Sequence, residues 1–417
     1  MKKLGKYSFG IGDRFGRQGY AQLKAIIEAA KKGYEITPVW NKSNREHIII
    51  GTNPDDVRQE ADDVTGRAGY KKPYFVDADH INNDNVDRFI ESSDYFTIDV
   101  AAFIGKRAGD DEIENFISRV KKYESGIKIP GIRKTQRCSG KMLFEIAEKY
   151  LFAAMKAGEV YRKIERRKGT GNFITEISMD EVPQPQSPVE IFFILKMLSD
   201  EKVPLQTIAP KFSGRFNKGV DYIGDIKKFA EEFEQDLLVL SHAAKEFELP
   251  DNIKISVHSG SDKFSIYPLM GSIIRKHDKG LHVKTAGTTW LEEVIGLAEA
   301  GNEALDFVKE IYSEAIERID ELCGPYADVI DIDRSKLPSA DEVAGWNSRK
   351  FAASLRHDIK NPDYNQGMRQ LVHVGYKLAA RDSARFYRLL NENERIVEEG
   401  VYQNIFTRHL CRLFDIQ

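Results

Sequence analysis

The sequence predicts a (β/α)8 barrel with a helical C-terminal extension. Short β-prone runs alternate with longer amphipathic runs up to about residue 290, the pattern of parallel strands covered by helices. The β-prone runs number eight, which closes such a barrel. Three of them carry a histidine at or near the end, where barrel enzymes keep their chemistry.

The strands are read in order as Tyr7–Ile11, Ile36–Trp40, Tyr74–Val76, Tyr95–Val100, Phe173–Ser178, Leu205–Ala209, Ile253–Val257 and Leu281–Lys284. Between them, Gln22–Lys32 places Leu23, Ile26, Ile27 and Ala30 on one helical face. Lys141–Ala157 does the same with Leu143, Ile146, Ala147, Tyr150, Leu151 and Ala154. Tyr222–Phe247 reads as a long helix before the seventh strand. Pro183, Pro185 and Pro188 make Val182–Ser187 a loop. After Trp290 the pattern is helical, punctuated by Pro325, Pro338 and Pro362. The expected division is a catalytic barrel over residues 1–310 and an extension over 311–417, packed on the barrel or covering its mouth. No internal repeat or low-complexity segment interrupts it.

A hydrophobic fraction of 41% and a charged fraction of 30% over 417 residues suit a globular protein with a large core. The net charge of −3, from 62 basic and 65 acidic residues, gives no electrostatic reason to expect nucleic acid or an anionic membrane as partner. Basic stretches such as Arg162–Lys163 and Arg166–Lys168 are flanked by acids and read as solvated surface. Cys138, Cys323 and Cys411 lie far apart, with no C-x-x-C pair, which fits a reducing, cytoplasmic setting. No apolar segment follows the basic Met1–Lys6 start, and no stretch reaches the roughly 20 apolar residues that span a bilayer. A homo-oligomer is allowed.

His80, His258 and His282 are the expected metal ligands. Imidazoles from separate strands suit zinc first, then manganese or nickel, and leave a position for substrate oxygen. Asp77 and Asp79 share one face of their strand, so Asp79 is the expected base and Asp77 a substrate or outer contact. Glu176, an acid inside a β-prone run, is costly unless it faces a polar site, and is the second acid/base candidate. Lys211, after the sixth strand, is placed to stabilise an enediolate or to pair with a substrate carboxylate. Gln206, Arg215, Ser259, Asp262, Lys263, Lys284 and Thr285, with Asp13 and Arg14 after the first strand, are the expected substrate contacts. The turns His258–Lys263 and Thr285–Thr289 present backbone N–H groups that suit a carboxylate or a phosphate. The glycines of Phe9–Gly16 have the wrong spacing for a dinucleotide loop.

Ser8-Phe-Gly-Ile-Gly-Asp-Arg-Phe-Gly16, Phe75-Val-Asp-Ala-Asp-His80, Lys211-Phe-Ser-Gly214, His258-Ser-Gly-Ser-Asp-Lys-Phe-Ser-Ile-Tyr-Pro268 and His282-Val-Lys-Thr-Ala-Gly287 resemble the tagaturonate epimerase family. The resemblance spans about the first 290 residues. It implies a metal-dependent barrel that interconverts tagaturonate and fructuronate, or the neutral ketoses tagatose and fructose, at ketose carbon 4. Where the family's first motif continues with a Thr-Pro-Gly-His-like segment, this chain has Arg17-Gln-Gly-Tyr20, which leaves the substrate open. A class II aldolase that releases its fragments, or a catalytically silent sugar-binding barrel, are the competing readings.

Overall fold

The computed structural model describes residues 2–259, 261–285 and 287–417. Eight parallel strands close in sequence order: β1 (Tyr7–Ile11), β2 (Ile36–Ser43), β3 (Phe75–Ile81), β4 (Tyr95–Asp99), β5 (Ile174–Ser178), β6 (Thr207–Ala209), β7 (Lys254–His258) and β8 (Leu281–Lys284). β1 pairs with both β2 and β8, which completes the circle. Every predicted strand is present. The third is longer than the sequence indicates, running on through Asp77-Ala-Asp-His80 to Ile81. Acids in a strand resemble a turn when read alone, but here Lys284 reaches across from β8 to compensate both aspartates.

Local chemistry fixes where the helices start. Ser43 and Glu46 form a reciprocal capping box that opens Asn44–Ile50 directly after β2. Ser187 and Glu190 do the same for Pro188–Asp200, with proline in the first turn. Asp225 caps Ile226–Glu246, and Ser139 caps the 29-residue helix Gly140–Lys168. That helix is longer than its sequence reading, ending where Gly169 adopts φ 80°.

Inward side chains form layers. Leu4, Val39, Phe75, Tyr95 and Ile174 plug the bottom of the barrel with an apolar cluster. Above it the interior becomes polar. Outside the sheet, the barrel helices share one large apolar core. A second core joins Phe15, after β1, to Trp290 on the helix Thr288–Ala300 that follows β8, and gathers the extension through Val397. The chain then returns to the barrel: Val401, Ile405, Leu410, Leu413 and Phe414 rejoin the first core. Gly271 permits this return, since a Cβ there would collide with the Leu413 carbonyl. No helix among the described residues is long and apolar enough to cross a membrane.

Candidate active site

Alternation along the strands sends Asp77 and Asp79 of β3, Thr97 and Asp99 of β4, Glu176 of β5, His258 of β7 and Lys284 of β8 into the upper barrel. Lys284 is their hub. Its Nζ lies 2.7 Å from Asp77 Oδ2, 2.9 Å from Asp79 Oδ1 and 3.0 Å from Glu176 Oε1, and it also donates to Thr97 Oγ1. Burial disfavours the ammonium, but Asp77, Asp79 and Glu176 overcome it and hold Lys284 well above its usual range. The carboxylates diverge in response. Burial, with Asp79 and Glu176 nearby, pushes Asp77 up, whereas Lys284, His80 and His258 pull Asp79 down against its own burial. Two neighbouring carboxyls thus differ in proton affinity, the arrangement that separates acid from base.

His80, Asp180 and His258 stand at the mouth, each with a ligand atom within 4.8 Å of the others. His258 arrives there by strand alternation. His80 does not, because the residue after Asp79 should face outward. A register shift between Ala78 and Ile81 against β4 and a left-handed backbone at His80 (φ 51°) swing it to the mouth. A non-glycine residue in that region is strained, and such strain clusters at functional sites. Its Nδ1 is 3.1 Å from Asp99 Oδ2 and its ring centroid 5.1 Å from that of His258. Glu176 Oε1 accepts from His258 Nε2 at 2.8 Å and so orients the ring. His258 Nδ1 is 3.2 Å from Asp180 Oδ1 but out of hydrogen-bond alignment, and has no hydrogen bond among the described residues. Two imidazoles and a carboxylate converging this way fit a zinc, manganese or nickel ion. Burial opposes protonation of both histidines. Even so, Asp79, Asp99 and Asp180 raise His80 to about 10, and Asp180 and Glu176 raise His258 to about 9, so an incoming cation would displace protons.

Several sequence expectations need correction. His282 does not join the cluster. It lies two residues below Lys284 on an alternating strand, with Nδ1 2.8 Å from Ser8 Oγ and its ring against Tyr95. Burial holds it neutral, down at about 3. Asp180 completes the group of three in its place. Lys284, not Lys211, is the lysine among the carboxylates; the hydrogen bond at Lys211 is a backbone one to Gln186.

Gln206 sits at the opposite end of the barrel, holding the backbone of Lys2 and Leu4. Asp13 accepts four backbone N–H groups, from Phe15 to Gln18, ahead of the helix Gly19–Lys31. Arg215 pairs with Asp331 of the extension. Ser259 and Thr285 bond the carbonyls of Lys284 and Gly10. Lys263 is spent on the carbonyls of Asn217 and Val220.

Asp262 is fully buried and saturated. Arg369 Nη2 (2.8 Å) and His357 Nδ1 (3.2 Å) meet one oxygen, and His409 Nε2 (3.0 Å) meets the other. Arg14 pairs with Glu46 at 3.0 Å and lies over the Tyr376 ring. Gly260 and Ala286, within the two turns expected to bind anions, lie outside the described residues.

Asp99 and Asp180 were the residues that sequence reading underused. Asp99 lies two residues after the inward Thr97 and Asp180 two after Ser178, and only the fold brings them to the histidines.

The family profile described as "UxaE: tagaturonate epimerase" matches residues 1–413. A tagaturonate/fructuronate epimerase of Thermotoga maritima is 29% identical over 418 residues, covering 97% of this chain and 80% of that protein. A two-glycerol complex of the fructuronate-tagaturonate epimerase from Cohnella laeviribosi superposes with a TM-score of 0.81 at 24% identity, covering 100% of this chain and 83% of that one. The native crystal structure of the same enzyme gives 0.78 at 23% identity, over 99% and 81%. These structural likenesses bear on the fold.

Proposed function

The chain belongs to the tagaturonate epimerase family, and from that membership we propose that it interconverts tagaturonate and fructuronate by a metal-dependent retro-aldol and aldol sequence. It is an isomerase, and the bond between ketose carbons 3 and 4 is an aldol bond. The observation that supports the chemistry is the meeting of His80, Asp180 and His258 at the mouth, beside a Lys284 that bridges three carboxylates.

A divalent ion held by His80, Asp180 and His258 would supply Lewis acidity toward the substrate's ketone and hydroxyl oxygens. Asp79, the carboxylate kept ionised, accepts the proton of the carbon-4 hydroxyl. The bond between carbons 3 and 4 then breaks, carbon 4 becomes an aldehyde, and the electron pair moves onto carbons 3 and 2 and the ketone oxygen. The Lys284 ammonium stabilises that negative charge from a fixed position. The aldehyde turns, the bond re-forms on its opposite face, and Asp79 returns the proton. Glu176 acts as a positioning residue, since its oxygens are engaged by Tyr95, Thr97, His258 and Lys284.

The test is nuclear magnetic resonance of tagaturonate turnover in deuterated water, with each divalent metal in turn. Fructuronate should form without deuterium at carbon 4, since that hydrogen travels with the aldehyde. Deuterium at carbon 4 would overturn the bond-cleavage route. Net accumulation of three-carbon fragments would make the protein an aldolase. Asp79→Asn should keep the metal and lose about 10²–10⁴-fold in turnover. Wild-type turnover in that variant removes Asp79 as the base.

A further inference from the structure

A group of cations gathers where the extension meets the loops after β2 and β6. There the extension places Tyr326, buried, among three cations from different segments. Arg45, in the first turn after β2, lies 4.9 Å from the Tyr326 ring centroid. Lys218, in the loop after β6, lies 5.5 Å from it, and Lys377 of the extension 5.1 Å. The Tyr326 hydroxyl lies 3.3 Å from that of Tyr376, whose ring carries Arg14 at 4.0 Å. Of these four cations only Arg14 has a carboxylate partner among the described residues, Glu46 at 3.0 Å. Exposed lysines often lack partners, but four cations converging on two buried phenols repel one another unless an anion sits between them.

A second observation lies in the same place. His373 of the extension is 1% exposed, and neither of its ring nitrogens has a hydrogen-bond partner among the described residues. It sits against the loop after β6, close to Gly219, and against the turn after β8, where a Cβ on Gly287 would collide with its Nε2. Arg14 Nη1 donates to its carbonyl. Asn217, one residue before Lys218, is also 1% exposed, with both side-chain amide atoms unpartnered among the described residues. Buried polar atoms are normally satisfied, and orphans of this kind mark a place for a ligand.

The flank is continuous with the reacting centre. Glu46, the partner of Arg14, follows Ser43 by three residues, and Ser43 is in register with Asp79. The negative charge of Asp79 also acts on Glu46, so the flank adjoins the side of the barrel that carries the carboxylate assigned as base.

We propose that Arg45, Lys218 and Tyr326, with His373 beneath them, form a carboxylate subsite that holds the acid end of the substrate. Barrel loops and extension build it jointly, so the extension is part of the substrate site. The inference rests on the retro-aldol reading and deepens it. After bond cleavage the aldehyde fragment carries the carboxylate, and inversion requires that fragment to turn without leaving. A carboxylate gripped by fixed cations is a pivot: carbon 4 rotates while the fragment stays. An epimerase differs from an aldolase by such retention, and the neutral face of His373 suits an adjacent hydroxyl. Around Tyr326 the positive charge also lowers the phenol's proton affinity against the effect of burial, with Arg45 the largest contributor.

The experiment compares wild type with Lys218→Met, Arg45→Met and the double variant, on tagaturonate and on tagatose. The ratio of kcat/KM for tagaturonate over tagatose should fall by about 10–100-fold in each single variant, the scale of a hydrogen bond to a charged group, and further in the double. Lys218→Arg should recover most of it. Three-carbon fragments should leak from the double variant during turnover of tagaturonate. A ratio unchanged in the double variant overturns the subsite while leaving the epimerase reading intact. If wild type turns over neither ketose, the epimerase reading fails, and calorimetry with glycerate decides the subsite alone. Binding to wild type that weakens by 10-fold or more in the double variant supports it; equal affinity, or no binding to wild type, overturns it.

Discussion

Two aspartate–histidine assemblies occupy this molecule, and they differ in saturation. Asp262 meets Arg369, His357 and His409, all buried. Its carboxylate has no capacity left, and Asn404 and Thr288 close the remaining approaches. Asp180, His80 and His258 instead reach the mouth, with side chains 23%, 25% and 8% exposed, and one histidine nitrogen lacks a partner. The same residue types thus build a saturated joint in one place and an open cluster at the mouth in the other. What separates them is not composition but whether every lone pair and N–H is already used.

The comparison is broken most severely at the mouth. His258→Ala should lower metal affinity by more than the roughly 10–100-fold caused by removing an outer-shell partner, and abolish epimerisation with it. Metal content by mass spectrometry and a thermal melt should show metal lost and folding kept. A variant that retains stoichiometric metal would show that His258 is not a ligand. The joint answers in the opposite currency. Asp262→Asn leaves the Arg369 guanidinium buried without a counter-charge, at a cost of about 3–5 kcal/mol. Denaturant unfolding measures it, and the folded variant should still bind metal. Unchanged stability would mean that the joint contributes register rather than energy.

Asp99 sharpens the boundary between the two kinds of assembly. It touches His80 Nδ1 but is not among the three converging residues. Asp99→Asn should therefore weaken metal binding by only about 10–100-fold, measurable by competition with a chelator. A loss as complete as that of His258→Ala would promote Asp99 to a ligand.

Much of the fold was legible in the sequence because strand and helix periods differ and each of the eight strands is bounded by turn chemistry. His258 was legible for the same reason: alternation from Lys254 through Ser256 carries it inward. His80 was found for its position but not for its direction, which depends on a register shift and a left-handed residue that no periodicity encodes. His282 was misplaced because its depth in the barrel, one layer below Lys284, depends on where β8 sits against β1. Asp262 and Lys263 looked like substrate contacts because they share a hexapeptide with His258. Their partners, Arg369, His409 and the carbonyls of Asn217 and Val220, are remote in sequence. The cations gathered around Tyr326 likewise come from remote segments.

The smallest effect tests whether Lys263 truly belongs to the saturated side. Its Nζ is fully buried and donates to the carbonyls of Asn217 (2.9 Å) and Val220 (2.7 Å), tying the loop after β6 to the turn after β7. Burial pulls it down to about 7, against about 10.4 for lysine in an unfolded chain. The folded value is the lower one, so between pH about 7 and about 10.4 the unfolded chain binds more protons. Stability from this residue therefore rises with pH across that window and is flat outside it, by at most about 1.4 kcal/mol per pH unit. Lys254 also titrates near 7 because of its burial, but it is present in both proteins and cancels. Lys263→Met should cost about 1–3 kcal/mol through the unmet carbonyls, and its stability should climb less steeply than wild type between pH 7 and 9.5. Parallel slopes in denaturant unfolding would show that the ammonium is accommodated without penalty, and Lys263 would then stand with the mouth residues as a charged group available to the site.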